Sequence, residues 1–328
     1  MTGIHKDMFD ALVGIDRQNR LGVYGISVDD IKTLFEAGTP EERSRQAKSL
    51  FQQVIRSLHN DAMEKYYDQL EQYENAFQWI IDYHRDHTVH ILLCYILGIC
   101  INEKVLADDA RHVPPVKWVI ACLFHDIGYP VELIYNSFIK VKQDYGWSPD
   151  LHLQTLTRKI FDKKSPIGIL SDCYKRWHLR FRARTEYQFV VEKKRMCHGM
   201  ISAITVLEKL AAIYENLGYE DEYRSQVVPA CAAIFLHNLN RARYDEEAKK
   251  LTGAHGSQVA LLLKVVDGFQ DWWRPSATHR DGYEPDNYRL QLQTNLCRFI
   301  VLDADRFKKI SEEHGQCVAY DRIIVANT

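Results

Sequence analysis

The sequence predicts a mostly α-helical protein with a long insertion and a short β-like tail at its C-terminal end. Three observations carry that expectation. Five strongly apolar runs of helical length lie between residues 87 and 269, an amphipathic segment with a helix-start signal precedes them, and strand-like segments appear only after Gly282.

In chain order, residues 39 to 70 open on Thr39-Pro40 and continue with apolar residues at helical spacing, which predicts an amphipathic helix packed on one face. The runs at 87–101, 116–127, 200–213, 227–239 and 256–269 are far more apolar, as helices covered on several sides are. Residues 131 to 195 interrupt them as an insertion with a basic end: Lys175, Arg176, Arg180, Arg182, Arg184, Lys193, Lys194 and Arg195 face only Glu186 and Glu192. In the tail, residues 298–307 and 321–328 read as short strands around a turn at His314 and Gly315. The expected division is an N-terminal helical region (1–82), a core (83–274, with the insertion inside it) and a tail packed on that core (275–328).

A chain of 328 residues with 46% apolar content can bury a large core, and its net charge of −2 gives no global attraction to nucleic acid or membrane. The eight cysteines lack any CxxC spacing and mostly sit in apolar runs, which predicts reduced thiols and a cytoplasmic location. No run of about eighteen uninterrupted apolar residues is present, so no membrane partner is expected.

Six residues stand out against these apolar surroundings: His87, His125, Asp126, His198, His237 and Asp267. Burying an unpaired imidazole or carboxylate costs several kcal/mol, and a shared metal would satisfy the whole set at once. Adjacent residues on a regular helix point about 100° apart, so His125 and Asp126 converge on one cluster most easily at a helix end. Gly128 permits a tight exit there, and Pro130 disfavours helical geometry at Tyr129.

The succession Arg85-Asp86-His87, CLFHDIGYP (122–130), CHGMISAITVL (197–207), AAIFLHNL (232–239) and LLLKVVDGFQDWWR (261–274) resembles the HD superfamily of metal-dependent phosphohydrolases in both residues and order. The resemblance covers residues 83 to 274 and implies an HD-type helical bundle. It also implies that His87, His125, Asp126 and Asp267 are the ligands of the basic site, with His198 and His237 adding those of the binuclear branch and Asp126 bridging two ions. His84 and His90 stand one turn to either side of His87 and are expected to be supporting or structural, because Arg85-x-His87 matches the pattern better.

Four imidazoles and two carboxylates suit divalent Fe, Mn, Co, Ni or Zn. A hydroxide bridging two such ions would attack phosphorus, with His125 and Asp126 at the catalytic centre, which predicts hydrolysis of a phosphoester or phosphoanhydride. The expected substrate is a phosphorylated small molecule, a nucleotide or cyclic nucleotide, with single-stranded nucleic acid also within the family's range. Arg180, Arg182 and Arg184, alternating in sequence, and Arg241 and Arg243 beyond His237 are the candidate phosphate-binding residues. Two alternatives use the same residues: a diiron oxygenase, and a nucleotide-sensing or scaffold module without turnover. Trp272 and Trp273 are expected to pack the end of their helix rather than stack a base.

Overall fold

A computed structural model describes residues 1–57, 68, 72, 87–107, 110–134, 165–179, 197–238, 257–274, 283–314 and 322–327. The helices are α1 (Gly3–Asp16), α2 (Val28–Glu36), α3 (Pro40–Ser57), α4 (His87–Val105), α5 (Pro115–Leu123), α6 (Pro166–Arg176), α7 (His198–Leu217), a single turn α8 (Glu220–Glu222), α9 (Val228–His237), α10 (Gln258–Phe269) and α11 (Ala304–His314). Three strands, β1 (Tyr288–Gln293), β2 (Leu296–Val301) and β3 (Ile323–Ala326), complete the described elements. The protein is mostly α-helical with a small C-terminal sheet, as the sequence predicts. The chain divides into two compact units: Met1–Leu123 with Leu262–Thr328, and Phe124–Leu261.

In the first unit, local sequence starts each early helix. Ser27 Oγ accepts from the Asp30 N–H ahead of α2. At α3, Thr39 Oγ1 accepts from the Glu42 N–H while the Glu42 carboxylate accepts from the Thr39 N–H, a reciprocal box that satisfies two otherwise orphan donors. Within α4 every residue but Lys104 is buried, so this helix is enclosed all round. Each buried Leu or Ile on it contributes about 1.5–3 kcal/mol. By length and composition α4 could cross a membrane, yet 94% of its most apolar window is buried inside the protein, as in a core helix.

Helices α1, α3 and α5 pack on α4, and α1 also packs on β1. Trp118 of α5 is fully buried and donates its indole N–H to Tyr95 O of α4 at 3.2 Å. Buried Glu103 is held by Tyr24 Oη (2.5 Å), His112 Nε2 (2.8 Å) and Arg20 Nη1 (3.0 Å), so its charge is paired with Arg20 and its oxygens take two further hydrogen bonds.

The sheet order is β1-β2-β3, with β1/β2 antiparallel and β2/β3 parallel. Cys297, Phe299 and Val301 of β2 alternate inward, and Phe299 stacks on Phe269 with ring centroids 4.5 Å apart. Of the two segments expected as strands, 298–307 holds the end of β2 and then the start of α11, 321–328 holds β3, and β1 lies before both; the turn expected at His314 and Gly315 falls at the end of α11. His314 ends that helix, and Gly315 lies outside the described residues. The parallel pairing of β2 and β3 explains the helix, since parallel neighbours need a crossover that a tight turn cannot supply.

In the second unit, α7 packs on α9 and α9 on α6. Helix α6 lies inside the segment read as an insertion; Ser165 caps it, with Pro166 in its first turn. Tyr174 of α6 is fully buried and donates to Ala232 O of α9 at 2.8 Å, fixing the two helices against each other. A π-turn, Tyr223–Val227, leads into α9. The seven described cysteines are free thiols, six of them buried, and Cys317 lies outside the described residues.

Candidate metal centre

The centre of the second unit is Asp126. Helix α5 ends at Leu123, the chain turns over residues 124–128, and helical structure resumes at 129–134. His125 and Asp126 therefore sit at a helix end, as their adjacency demands. Tyr129 is nevertheless helical and Pro130 falls in the first turn of the new segment, where its missing N–H costs nothing. Gly128 lets this turn approach α7: a Cβ there would meet His198 O at 2.5 Å and Ser202 N at 2.9 Å, and the Gly128 N–H donates to Ser202 Oγ at 2.8 Å.

His198 opens α7 and His237 closes α9. Gly199 brings these two ends together, because a Cβ on it would meet Ile234 O at 2.8 Å and His237 Cε1 at 3.0 Å. The ring centroids of His198 and His237 lie 5.2 Å apart, and those of His125 and His237 lie 5.0 Å apart.

The two oxygens of Asp126 are divided among these rings. Oδ1 lies 3.3 Å from His198 Nε2 and 3.6 Å from His237 Nε2, whereas Oδ2 lies 3.5 Å from His125 Nε2. The donor atoms of Asp126, His198 and His237 all fall within 4.8 Å of one another. These separations exceed the roughly 2.7–2.9 Å of a charge-assisted hydrogen bond. They match a different geometry: two ligands each about 2.1 Å from one ion stand about 3.0 Å apart at a right angle and about 3.4 Å apart at the tetrahedral angle.

The far nitrogens of two of these rings are occupied. His237 Nδ1 donates to Ile234 O at 2.5 Å, and His198 Nδ1 donates to Glu132 Oε2 at 2.7 Å, the shorter of its two contacts, with Asn238 Nδ2 3.0 Å away. A ring whose Nδ1 carries the proton presents Nε2 as its lone-pair atom, the arrangement metal-binding histidines adopt. The donor set and its spacing thus fit a transition-metal ion.

Electrostatics point the same way. Burial works against the charged form of Asp126, but His125, His198 and His237 hold its carboxyl well below the usual range. Burial also opposes charge on His198, and the Asp126 and Glu132 carboxylates overcome it, raising its pKa to about 10. The centre therefore draws in positive charge, as a proton on His198 or as a metal ion in its place.

The other predicted residues divide as follows. In the first unit, Asp267 of α10 meets α4 through His90: His90 Nε2 lies 3.2 Å from Asp267 Oδ1, with His90 Nδ1 against Gln270 Oε1. His87 is buried at the start of α4, one turn earlier. His90, expected to be supporting or structural, thus faces Asp267 together with Gln270, and Glu132 joins the Asp126 centre without having been among the expected residues. Trp272 is buried against Tyr288, with ring centroids 5.6 Å apart, and closes the end of its helix. Arg180, Arg182, Arg184, Arg241 and Arg243 lie outside the described residues, as does His84.

Compared with protein-family models, curated proteins and solved structures, the chain matches none. The functional reading rests on this chain's own residues.

Proposed function

We propose that the protein is a metal-dependent phosphohydrolase of HD type, acting on a phosphoester or phosphoanhydride and, within that class, on a nucleotide or cyclic nucleotide in the cytoplasm. The observation that carries this reading is the division of the Asp126 carboxylate: one oxygen faces His198 and His237 and the other faces His125, all at ligand-to-ligand separations. His198, His237 and Oδ1 would hold one divalent transition-metal ion, and His125 with Oδ2 offers two donors towards a second. When bound, such ions supply Lewis acidity towards a phosphoryl oxygen and a water made nucleophilic near neutral pH.

The protein's own part is to hold the donors and set the charge. One carboxylate among neutral imidazoles leaves half of one divalent ion's charge uncompensated, and more where two ions share it, and an uncompensated positive centre favours an anionic substrate over a neutral one. The buried walls of the centre strengthen that preference, since Asp126, His125 and His237 are all nearly inaccessible to water. Imidazole nitrogens select Fe, Mn, Co, Ni or Zn over Mg or Ca.

The test is a panel of nucleotides and generic phosphodiesters assayed with Mn, Fe, Co and Ni. Hydrolysis is expected in the wild type and should vanish in His125→Ala and Asp126→Ala with helical content retained. Phosphoesters inert under every metal, together with oxygen consumption by the ferrous protein, would replace hydrolysis with oxygenase chemistry. Nucleotide binding without turnover under any metal would make the protein a sensing or scaffold module.

A further inference from the structure

Glu132 lies six residues beyond Asp126, on the short helical segment that follows the turn, and Gly128 O accepts from its N–H at 3.2 Å. A single oxygen of this carboxylate, Oε2, accepts two bonds from one residue, the backbone N–H of His198 at 2.5 Å and the ring Nδ1–H of His198 at 2.7 Å. Helix α7 needs such an acceptor: His198 is its first residue, so the His198 N–H is one of the donors that a helix start leaves without an intrahelical partner. A carboxylate at that end also meets the positive pole of the helix.

We infer that Glu132 is a positioning residue that locks the backbone and ring of His198 together, so that Nε2 is the nitrogen presented beside Asp126. The inference rests on the metal reading above. Two bonds from one oxygen fix the start of α7 and the rotation of the ring at once, which neither bond could do alone. His237 shows the contrast. Its Nδ1 is held by a neutral backbone carbonyl, Ile234 O, so the two imidazoles facing Asp126 Oδ1 differ in the charge behind them. A carboxylate behind the ring makes His198 the more strongly donating ligand of the two. It also keeps the ring from turning Nδ1 inward.

The experiment uses Glu132→Ala and Glu132→Gln in the full chain, titrated with Zn²⁺ against a competing chelator. The wild type is expected to bind two ions. Glu132→Ala should hold one of them about 10- to 100-fold more weakly, and Glu132→Gln, whose amide oxygen can still accept both bonds, should recover most of the loss. Ring-nitrogen NMR of His198 in the Zn²⁺-loaded protein adds a readout that general destabilisation does not move. Nε2 coordinated with Nδ1 protonated is expected in the wild type and in Glu132→Gln, and a mixture of the two nitrogens in Glu132→Ala. Unchanged affinity for both ions in Glu132→Ala, or coordination through Nδ1 in the wild type, overturns the inference while leaving the metal reading standing. A wild type that takes up no Zn²⁺ overturns the metal reading itself and the inference with it, before any variant is made.

Discussion

At the scale of single residues, the chemistry turns on which atom of each side chain faces Asp126. His198 carries its charge against the cost of burial because Asp126 and Glu132 both contact it, and its pKa of about 10 lies above the roughly 6.5 of an unfolded chain. A raised value stabilises the metal-free fold fully below about pH 6.5, and that contribution is lost as pH rises through about 10. The denaturation midpoint of chelator-treated protein should therefore fall between about pH 7 and pH 10, and His198→Gln should flatten the fall. An equal slope in both proteins would show that His198 does not carry the effect. A metal ion must displace the same proton, so the Zn²⁺ dissociation constant should drop about tenfold per pH unit between about pH 6 and pH 8.

The histidine doublet was legible at this scale because burial inside apolar runs is costly without a partner. The choice between His87 and His90 was not. Both lie on one side of a helix buried all round, so α4 has no exposed face to set the phase of its polar residues, and the contact of His90 with Asp267 is visible only in three dimensions. Glu132 left no trace in the sequence: a carboxylate on a half-buried segment looks like any surface acid until α7 supplies its partner 66 residues later.

At the scale of elements, the centre depends on close approach between a turn and two helix ends. Gly128→Ala would push a methyl group onto backbone atoms of His198 and Ser202, which cannot swing away as a side chain can. The expected result is a loss of about 1–3 kcal/mol in denaturation, together with weaker binding of the ion on the His198 side of Asp126. A variant with wild-type stability and metal content would mean that the turn is less tightly seated than these distances require.

Helix starts were readable from local signals, as at Thr39-Pro40, where the reciprocal Thr39–Glu42 bonds form. The apolar runs were readable as helices from length and composition. Strand β1 pairs antiparallel with β2 across the two residues Thr294 and Asn295, whereas α11 is the crossover to a parallel partner, β3, some twenty residues beyond β2, and no local turn marks it. Helix α1 carries Ile4, Met8, Leu12 and Ile15 on its buried face, a helical spacing present in the sequence itself.

At the scale of the whole molecule, the compact units join segments that are far apart in the chain. The C-terminal sheet packs with the N-terminal helices, and α7 and α9 belong with the turn that carries His125 and Asp126. Pairings at such sequence separation are set by complementary buried faces, which one sequence alone does not reveal. A folded protein that holds tightly bound ions should lose stability when they are removed, by RT ln(1 + [metal]/Kd), so chelation is expected to lower Tm and re-addition of metal to restore it.

The most direct test of the metal centre is the metal content per chain of protein purified without chelator, measured for the wild type and for Asp126→Ala. Because both oxygens of Asp126 face imidazole nitrogens at ligand-to-ligand separations, about two transition-metal ions per wild-type chain are expected and close to none in the variant. A metal-free wild type whose Tm does not rise with any of Mn, Fe, Co, Ni or Zn would contradict it.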